Sequence, residues 1–505
     1  MHGIHQRMIA RLLSVVLFVG GAAWGQGRFM VYEVATPSPT REVELLLSHR
    51  LSPVEPPPWG GSVHVVGTAE TERELLRVGA AIRGKSDRVP FRWLRPDDVA
   101  EPVALEVPAP RLSAAHGYHG RAAVERLLLN WTRHYPDRCA LYQFGASLHG
   151  APMLALRISD HPEVDEDEPA VLFGAGIHAS ELFTVEVALD LAEHLILEYP
   201  NDPEVRRWVD GCDIWIVPII NPDGNDCAHH YDHRWRKNAR GTYATEPPHS
   251  GDGVDLNRNF PVGFGLAARS SADPFSGYFQ GTGPASEPET QAMLALAESR
   301  RFALLYTYHT AGGWVLYPYS ERSLLSPSPN YAEEFARALG AKLFVEDSTR
   351  PYRVATEMYP VAGVDQDTYY YEYGTFAYII EVGRRGGQPE LARWREPLLA
   401  SVRPSWRFAL DALTTGPRLW GHVRDAATGA PLPAVVAIKE QALRMNERWT
   451  AHPRTGRFDR LFVSPTTVTL VARLEGYEPQ EQRATVTDGP VQVEFRLRPV
   501  ESPAE

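Results

Sequence analysis

The sequence predicts an α/β core built on a mainly parallel mixed sheet flanked by helices, preceded by a small α+β unit and followed by a β-sandwich. Three observations carry this expectation. Short, continuous apolar runs at 170–175, 214–220, 303–308 and 376–380 alternate with amphipathic stretches, the pattern of strands covered on both faces by helices. Beyond residue 417 the period changes to two, with Val468, Leu470, Ala472 and Leu474, then Val491, Val493, Phe495 and Leu497, at alternate positions. Before residue 110, Pro- and Gly-rich stretches set off a strand–helix–strand pattern of its own.

Taken in order, residues 1–25 read as a signal peptide. Arg7 and Arg11 precede an apolar stretch at 12–24 that ends in small residues, Gly20, Gly21, Ala22, Ala23 and Gly25. An uncleaved anchor is the alternative; after cleavage no stable membrane span is expected, and the chain would be secreted or periplasmic. Residues 28–110 form the N-terminal unit: a strand at 62–66, a helix at 70–82 with Leu75, Val78 and Ile82 on one face, a strand near 91–94, and a Pro-rich linker at 101–110. It reads as a propeptide or a structural cap. The core is expected over 111–415. A helix at 122–135 turns Val124, Leu127, Leu128 and Trp131 inward and stops at Pro136; another at 182–199 carries the stripe Val185, Leu189, Ala192 and Leu195 and stops at Pro200. Ser286 and Glu289 have the spacing of a capping box opening a helix to about 299. The sandwich is expected over 417–499, with turns at Gly429 and Gly456.

The composition is that of an ordinary globular protein: 505 residues, 44% apolar and 23% charged. A formal charge of -12 argues against a nucleic-acid binder, because the phosphate backbone rewards Lys and Arg. The 3 cysteines, Cys139, Cys212 and Cys227, are either free buried thiols or include one pair, Cys212 with Cys227 being nearest. With no Cys-x-x-Cys, a thiolate zinc site is not expected.

The chemistry lies at strand ends. His178 and Glu181 follow the apolar run at 170–175, His309 follows that at 303–308, and Glu381 follows that at 376–380. In open α/β sheets the binding crevice lies beyond the carboxyl ends of the strands, so all four residues fall on one rim. Two imidazoles and a carboxylate suit a zinc ion with one coordination position left open. Taken alone, His178 and Glu181 read equally as a histidine at a helix start and an acid on the helix dipole. Two other features read as bland: His229, His230, His233 and His249 as a solvated loop rather than a second metal site, and the acidic run at 163–168 as a solvated connection.

At this point the residues resemble the zinc carboxypeptidase family. Gly-Ile-His-Ala-Ser-Glu at 176–181 is similar to its first zinc motif, Asn-Pro-Asp-Gly at 221–224 to its conserved turn, and Val-Asp-Leu-Asn-Arg-Asn-Phe-Pro at 254–261 to its Asn-Arg substrate motif. Gly281, Pro284, the 286–290 segment, His309 and Glu381 follow in family order. The resemblance covers about 111–415, and the tail resembles the transthyretin-like domain of the family's regulatory branch. It implies one zinc ion per chain held by His178, Glu181 and His309, with Glu381 as general base to the attacking water. Arg236 would stabilise the oxyanion, Asn257 and Arg258 would bind the terminal carboxylate of a peptide or protein, and Tyr359 would close over it. Gln366 aligns near the pocket for the terminal side chain. Ser180 stands where digestive members carry an arginine, and here it is expected to cap the following helix. The implied activity is removal of C-terminal residues. A cell-wall muropeptide peptidase with the same zinc machinery, or a silent peptide-binding relative, are the competing readings.

Overall fold

The computed structural model describes residues 117–241, 249–267 and 269–500, with residues 73 and 75–77 and strand backbone at 30–36, 61–67, 82–86 and 92–94 before them. The signal-peptide reading lies outside the described residues. Three early strands, β1 (Met30–Thr36), β2 (Gly61–Gly67) and β3 (Ile82–Ser86), form a small antiparallel sheet in the order β2-β1-β3. Ile82 therefore opens a strand instead of ending a helix, and the described helical residues stop at 77.

The main sheet has nine strands: β4 (Arg92–Leu94), β5 (Cys139–Ala146), β6 (Pro152–Ile158), β7 (Ala170–Gly174), β8 (Asp213–Val217), β9 (Leu304–His309), β10 (Trp314–Leu316), β11 (Arg353–Ala355) and β12 (Phe376–Glu381). Their order is β11-β10-β12-β9-β7-β8-β6-β5-β4. The central block β12-β9-β7-β8 is parallel, β5 and β6 continue it antiparallel on one side, and β10 joins it antiparallel on the other. The four apolar runs of the sequence are this parallel block. β4 pairs with β5, so a strand expected in the N-terminal unit lies on the edge of the main sheet. The run expected to reach Ile220 ends at Val217, because Pro218 has no N–H to give the ladder.

The helices are α1 (Arg121–His134), α2 (Phe183–Glu198), α3 (Pro203–Val209), α4 (Pro222–His230), α5 (Pro288–Arg300), α6 (Tyr331–Gly340), α7 (Asp365–Tyr373) and α8 (Leu391–Thr414). Alternation along the parallel strands divides them between two cores. Val171, Phe173, Ile214, Ile216, Tyr306 and Ile380 pack with α2 and α8, while Leu172, Trp215, Leu305 and Ala377 pack with α5 and α7. At α5 the capping box is not formed. Glu287 is the N-cap and makes no side-chain cap, and the Ser286 hydroxyl instead accepts from Asn259 Nδ2 at 2.9 Å and donates to Glu287 Oε1 at 2.8 Å. Cys212 and Cys227 do not pair: all three thiols are free and buried, Cys212 in the main core and Cys227 in a small cluster with Ala228 and Trp235.

The tail folds into two facing sheets. One contains β13 (Arg418–Asp425), β15 (Arg457–Leu461), β18 (Pro490–Gln492) and β19 (Phe495–Leu497); the other contains β14 (Val435–Ile438), β16 (Thr466–Arg473) and β17 (Gln480–Val486). Between them lie Leu419, Val423, Val436, Phe458, Leu470 and Phe495. This sandwich docks under the N-terminal ends of the parallel strands, around a cavity of about 170 Å³. Trp449 meets Tyr370 edge to face and donates to its carbonyl at 2.7 Å, and it lies against Gly374, where a Cβ would meet its ring at 2.7 Å. The acidic run is exposed over 163–167, as expected of a solvated connection, but two of its carboxylates also have partners. Asp167 accepts from Arg457 at 2.8 Å and lies 3.0 Å from His422 Nε2, while Asp165 pairs with Arg300. The sequence hid this because Arg457 lies 290 residues away.

Candidate active site

The site is assembled where β7, β9 and β12 end. In the parallel ladder Glu381 lies directly beside His309, so sheet register itself places the two together. His178 is set by the loop after β7. Gly176 takes φ +63°, a left-handed turn that favours glycine, and its carbonyl accepts the Asn221 N–H at 3.2 Å. The buried Asn221 side chain holds the surrounding loops together. Its oxygen caps α4 through the Gly224 N–H at 2.9 Å, and its Nδ2 donates to the carbonyls of Ile177 and Lys237 at 3.2 and 3.1 Å. Gly224 has no room for a Cβ, which would lie 2.5 Å from the Lys237 carbonyl. The loop carrying His178 is thus tied to the segment carrying Arg236, and Ala179 N–H donates to the Arg236 carbonyl at 3.1 Å.

His178, Glu181 and His309 are all buried, with their ligand atoms within 4.8 Å of one another. His178 Nδ1 lies 2.8 Å from Glu181 Oε1 and 3.0 Å from His309 Nδ1, which is 3.2 Å from Glu181 Oε2. Two imidazole nitrogens facing each other beside a carboxylate are a donor set for a cation. The N₂O set, with one position left, fits zinc. The far side of His178 supports this assignment: Nε2 lies 3.2 Å from Asp255 Oδ1, which fixes the tautomer with Nδ1 as the lone pair. Burial raises the Glu181 carboxyl, but the His178 and His309 imidazoles outweigh it and hold the group well below the usual carboxylate range.

Asp255 is the residue that sequence reasoning missed, although it sits two places before Asn257. It is fully buried and accepts from Arg236 Nε at 2.9 Å as well as facing His178. Against the cost of its burial, the charges of Arg236, Arg258 and His178 hold it well below the ordinary range. One carboxylate therefore orients both a metal ligand and the expected oxyanion donor. Arg236 also approaches Glu181 Oε1 at 3.5 Å. Asp255 Oδ1 further accepts the Asn257 N–H at 3.0 Å, forming the 3₁₀ turn Leu256–Arg258.

Asn257 and Arg258 are buried at that turn. Asn257 Oδ1 accepts the Asp365 N–H at 3.0 Å, so its NH₂ is the half of the amide left for a ligand. Arg258 Nε donates to the Arg269 carbonyl at 2.8 Å, and its Nη2 lies 3.4 Å from the Tyr359 hydroxyl. Tyr359 is half-buried on an exposed loop. The Glu381 carboxylate has no hydrogen-bond or ion-pair partner among the described residues, its backbone carbonyl accepting from the Gly313 N–H at 2.9 Å. Burial and the negative charge of Glu181 push its carboxyl up to about 7, against the pull of His309, Arg236 and Arg258. Gln366 is fully buried at the start of α7, with its Nε2 donating to Ser320 Oγ at 2.8 Å and its Oε1 unpartnered. It faces Ser320 and no other expected site residue. Ser180 does not cap α2, whose N-cap is Leu182; its carbonyl accepts from Gln388 Nε2 at 3.1 Å. The four loop histidines form no metal-binding group among the described residues.

A buried cation site with an unpaired carboxylate and an arginine beside it defines a metal-dependent hydrolase. The zinc carboxypeptidase family model matches residues 124–393, and the chain belongs to that family and is a metallocarboxypeptidase. It is 25% identical over 418 residues to carboxypeptidase SOL1 of Arabidopsis thaliana, covering 78% of this chain and 75% of that one. It is 28% identical over 404 residues to human carboxypeptidase D, covering 75% of this chain but only 27% of that much longer protein. Among solved structures, carboxypeptidase A from Helicoverpa armigera shares the fold with a TM-score of 0.51 at 21% identity, over 76% of this chain and 96% of that one.

Proposed function

We propose that this chain is an exported exopeptidase that removes C-terminal residues from peptides or proteins, with a cleaved signal at 1–25 and a regulatory-type sandwich at 417–499. The observation that carries the reading is the pairing of a buried carboxylate site, Asn257 with Arg258, with an unpartnered carboxylate, Glu381, beside the His178–Glu181–His309 cluster. An internal peptide bond offers no terminal carboxylate for the planar guanidinium of Arg258 to grip. Asn257 and Arg258 hold the terminal carboxylate, and Arg236, oriented by Asp255, donates to the carbonyl oxygen as it gains negative charge. Glu381 takes a proton from the attacking water as the new C–O bond forms and the charge moves onto the carbonyl oxygen, then returns a proton to the leaving amine as the carbonyl re-forms and the C–N bond breaks, which regenerates the carboxylate. Zinc, when bound, supplies Lewis acidity and a positive charge that favours the carboxylate form of Glu381. Tyr359 covers the terminal residue.

The test compares a peptide library with free and with amidated C-termini, before and after chelation. Trimming of free termini that stops on amidation and on chelation, and returns with zinc, supports the reading. Cleavage of amidated peptides at the same rate, or activity indifferent to chelation, overturns it. Turnover confined to muropeptides would move the substrate to the cell wall.

A further inference from the structure

The loop between Arg258 and α5 carries a residue that neither motif nor family order singles out. Arg269 is exposed at the mouth of the site, and among the described residues its guanidinium has no carboxylate partner. It lies instead on aromatic rings: its Cζ is 4.5 Å from the centre of the Tyr359 ring and 5.5 Å from that of Tyr278, and its Nη1 reaches the Tyr278 hydroxyl at 3.4 Å. Its backbone is equally placed, because its carbonyl accepts from Arg258 Nε. The Tyr359 hydroxyl in turn lies against Arg258 Nη2. Three residues thus close a ring: Arg258 to the Arg269 backbone, the Arg269 side chain to Tyr359, and Tyr359 back to Arg258. Tyr278 adjoins the two arginines of this ring, with the guanidinium carbons of Arg236 and Arg258 also 5.5 Å from its own aromatic ring.

We propose that Arg269 is a positioning residue for this site: its guanidinium, stacked on Tyr359, holds that ring down over the carboxylate-binding Arg258. This inference rests on the exopeptidase reading. A half-buried tyrosine on an exposed loop needs something to keep it closed, and a cation over an aromatic face is attractive in that partly desolvated setting. Because the ring covers the bound residue both before and during reaction, the clasp contributes uniform binding and shows in KM more than in kcat.

The experiment is a double-mutant cycle with a peptide bearing a free C-terminus. Arg269→Ala is expected to raise KM about three- to tenfold with kcat within about twofold. Arg269→Lys, which keeps the cation, restores most of that loss, and in a Tyr359→Ala background Arg269→Ala has no further effect. A second readout needs no turnover: in Glu381→Gln protein, binding of the intact peptide weakens by the same factor on Arg269→Ala. An unchanged KM, or an equal loss with and without the Tyr359 ring, overturns the clasp. Wild-type protein that trims no peptide overturns the exopeptidase reading instead, so the two failures are distinguishable.

Discussion

Two charged clusters lie at opposite ends of the same four parallel strands. At the N-terminal ends, against the sandwich, these acids and bases pair across the boundary or within it: Asp167 with Arg457 and His422, Asp165 with Arg300, and Asp459 between Arg418 and Arg457. At the C-terminal ends the balance is left open. Two imidazole nitrogens confront each other at 3.0 Å, and the Glu381 carboxylate has no partner among the described residues. The seam has one exception, Glu168, whose Oε2 is buried without a partner among the described residues. At the rim burial drives Glu381 up to about 7; at the seam the Arg457 and Arg418 charges pull Asp459 down despite its burial, while Glu168 beside them is driven up to about 8.

The comparison can be tested by asking whether each cluster loses what it is built for. The largest effect is expected at the open rim. Glu381→Gln should lower kcat by about 10³-fold or more, with an unchanged melting temperature, measured by peptide turnover and thermal unfolding. A drop in stability of several degrees would mean that this carboxylate is structural after all. The mirror-image change is Asp459→Asn, which strands the buried Arg418 and leaves Arg457 with Asp167 alone. It should cost about 3–5 kcal/mol in urea unfolding while the folded fraction keeps its kcat. Asp255→Asn probes a residue between the two behaviours, because it is fully matched yet serves the site. Zinc affinity, measured by competition with a chelator, should fall about 10- to 100-fold.

The smallest effect is a pH dependence at the seam. His452 is buried there with Nε2 3.0 Å from the Ser299 carbonyl, and burial lowers its pKa to about 4 from an ordinary 6.5. Above 6.5 the ring is neutral in both folded and unfolded chains. As pH falls from 6.5 towards 4 the unfolded chain takes up a proton that the folded one refuses, so stability declines, by about 2 kcal/mol at pH 5. His422 acts in the opposite sense: Asp167 raises its pKa, so its contribution is present below 6.5 and lost as pH rises through the folded value. His452→Gln should therefore narrow the gap between urea midpoints at pH 7 and pH 5. A gap as wide as in wild type would remove His452 from the account.

What the sequence made legible follows the same division. The rim was readable because each of its residues stands at the end of a short apolar run, and parallel strands put such ends together. His178, Glu181, His309 and Glu381 needed no contact map. Asp255 was missed because an aspartate two places before an Asn-Arg pair has the same look as a turn-former. Arg269 was missed because its partner Tyr359 is a loop residue with no periodicity to place it. The seam was unreadable in principle: the acidic run and Arg457 are each ordinary alone, and only the docking of the sandwich makes them a pair. The antiparallel flanks of the sheet were invisible for a related reason, since β5 and β6 are as apolar as the parallel strands they extend.

The register of β12 against β9 has a wider consequence. Since Glu381 is fixed beside His309 by a backbone ladder, with strands about 4.8 Å apart, no loop sets the distance between that carboxylate and that imidazole. The loop segments that carry Arg269 and Tyr359 lie outside that ladder, so under the proposed function they can vary in length without shifting Glu381 against His309. The fold is in that sense a fixed anvil with interchangeable jaws. An engineer seeking a new terminal-residue preference should work on the 261–280 and 356–366 segments and leave the two strands untouched.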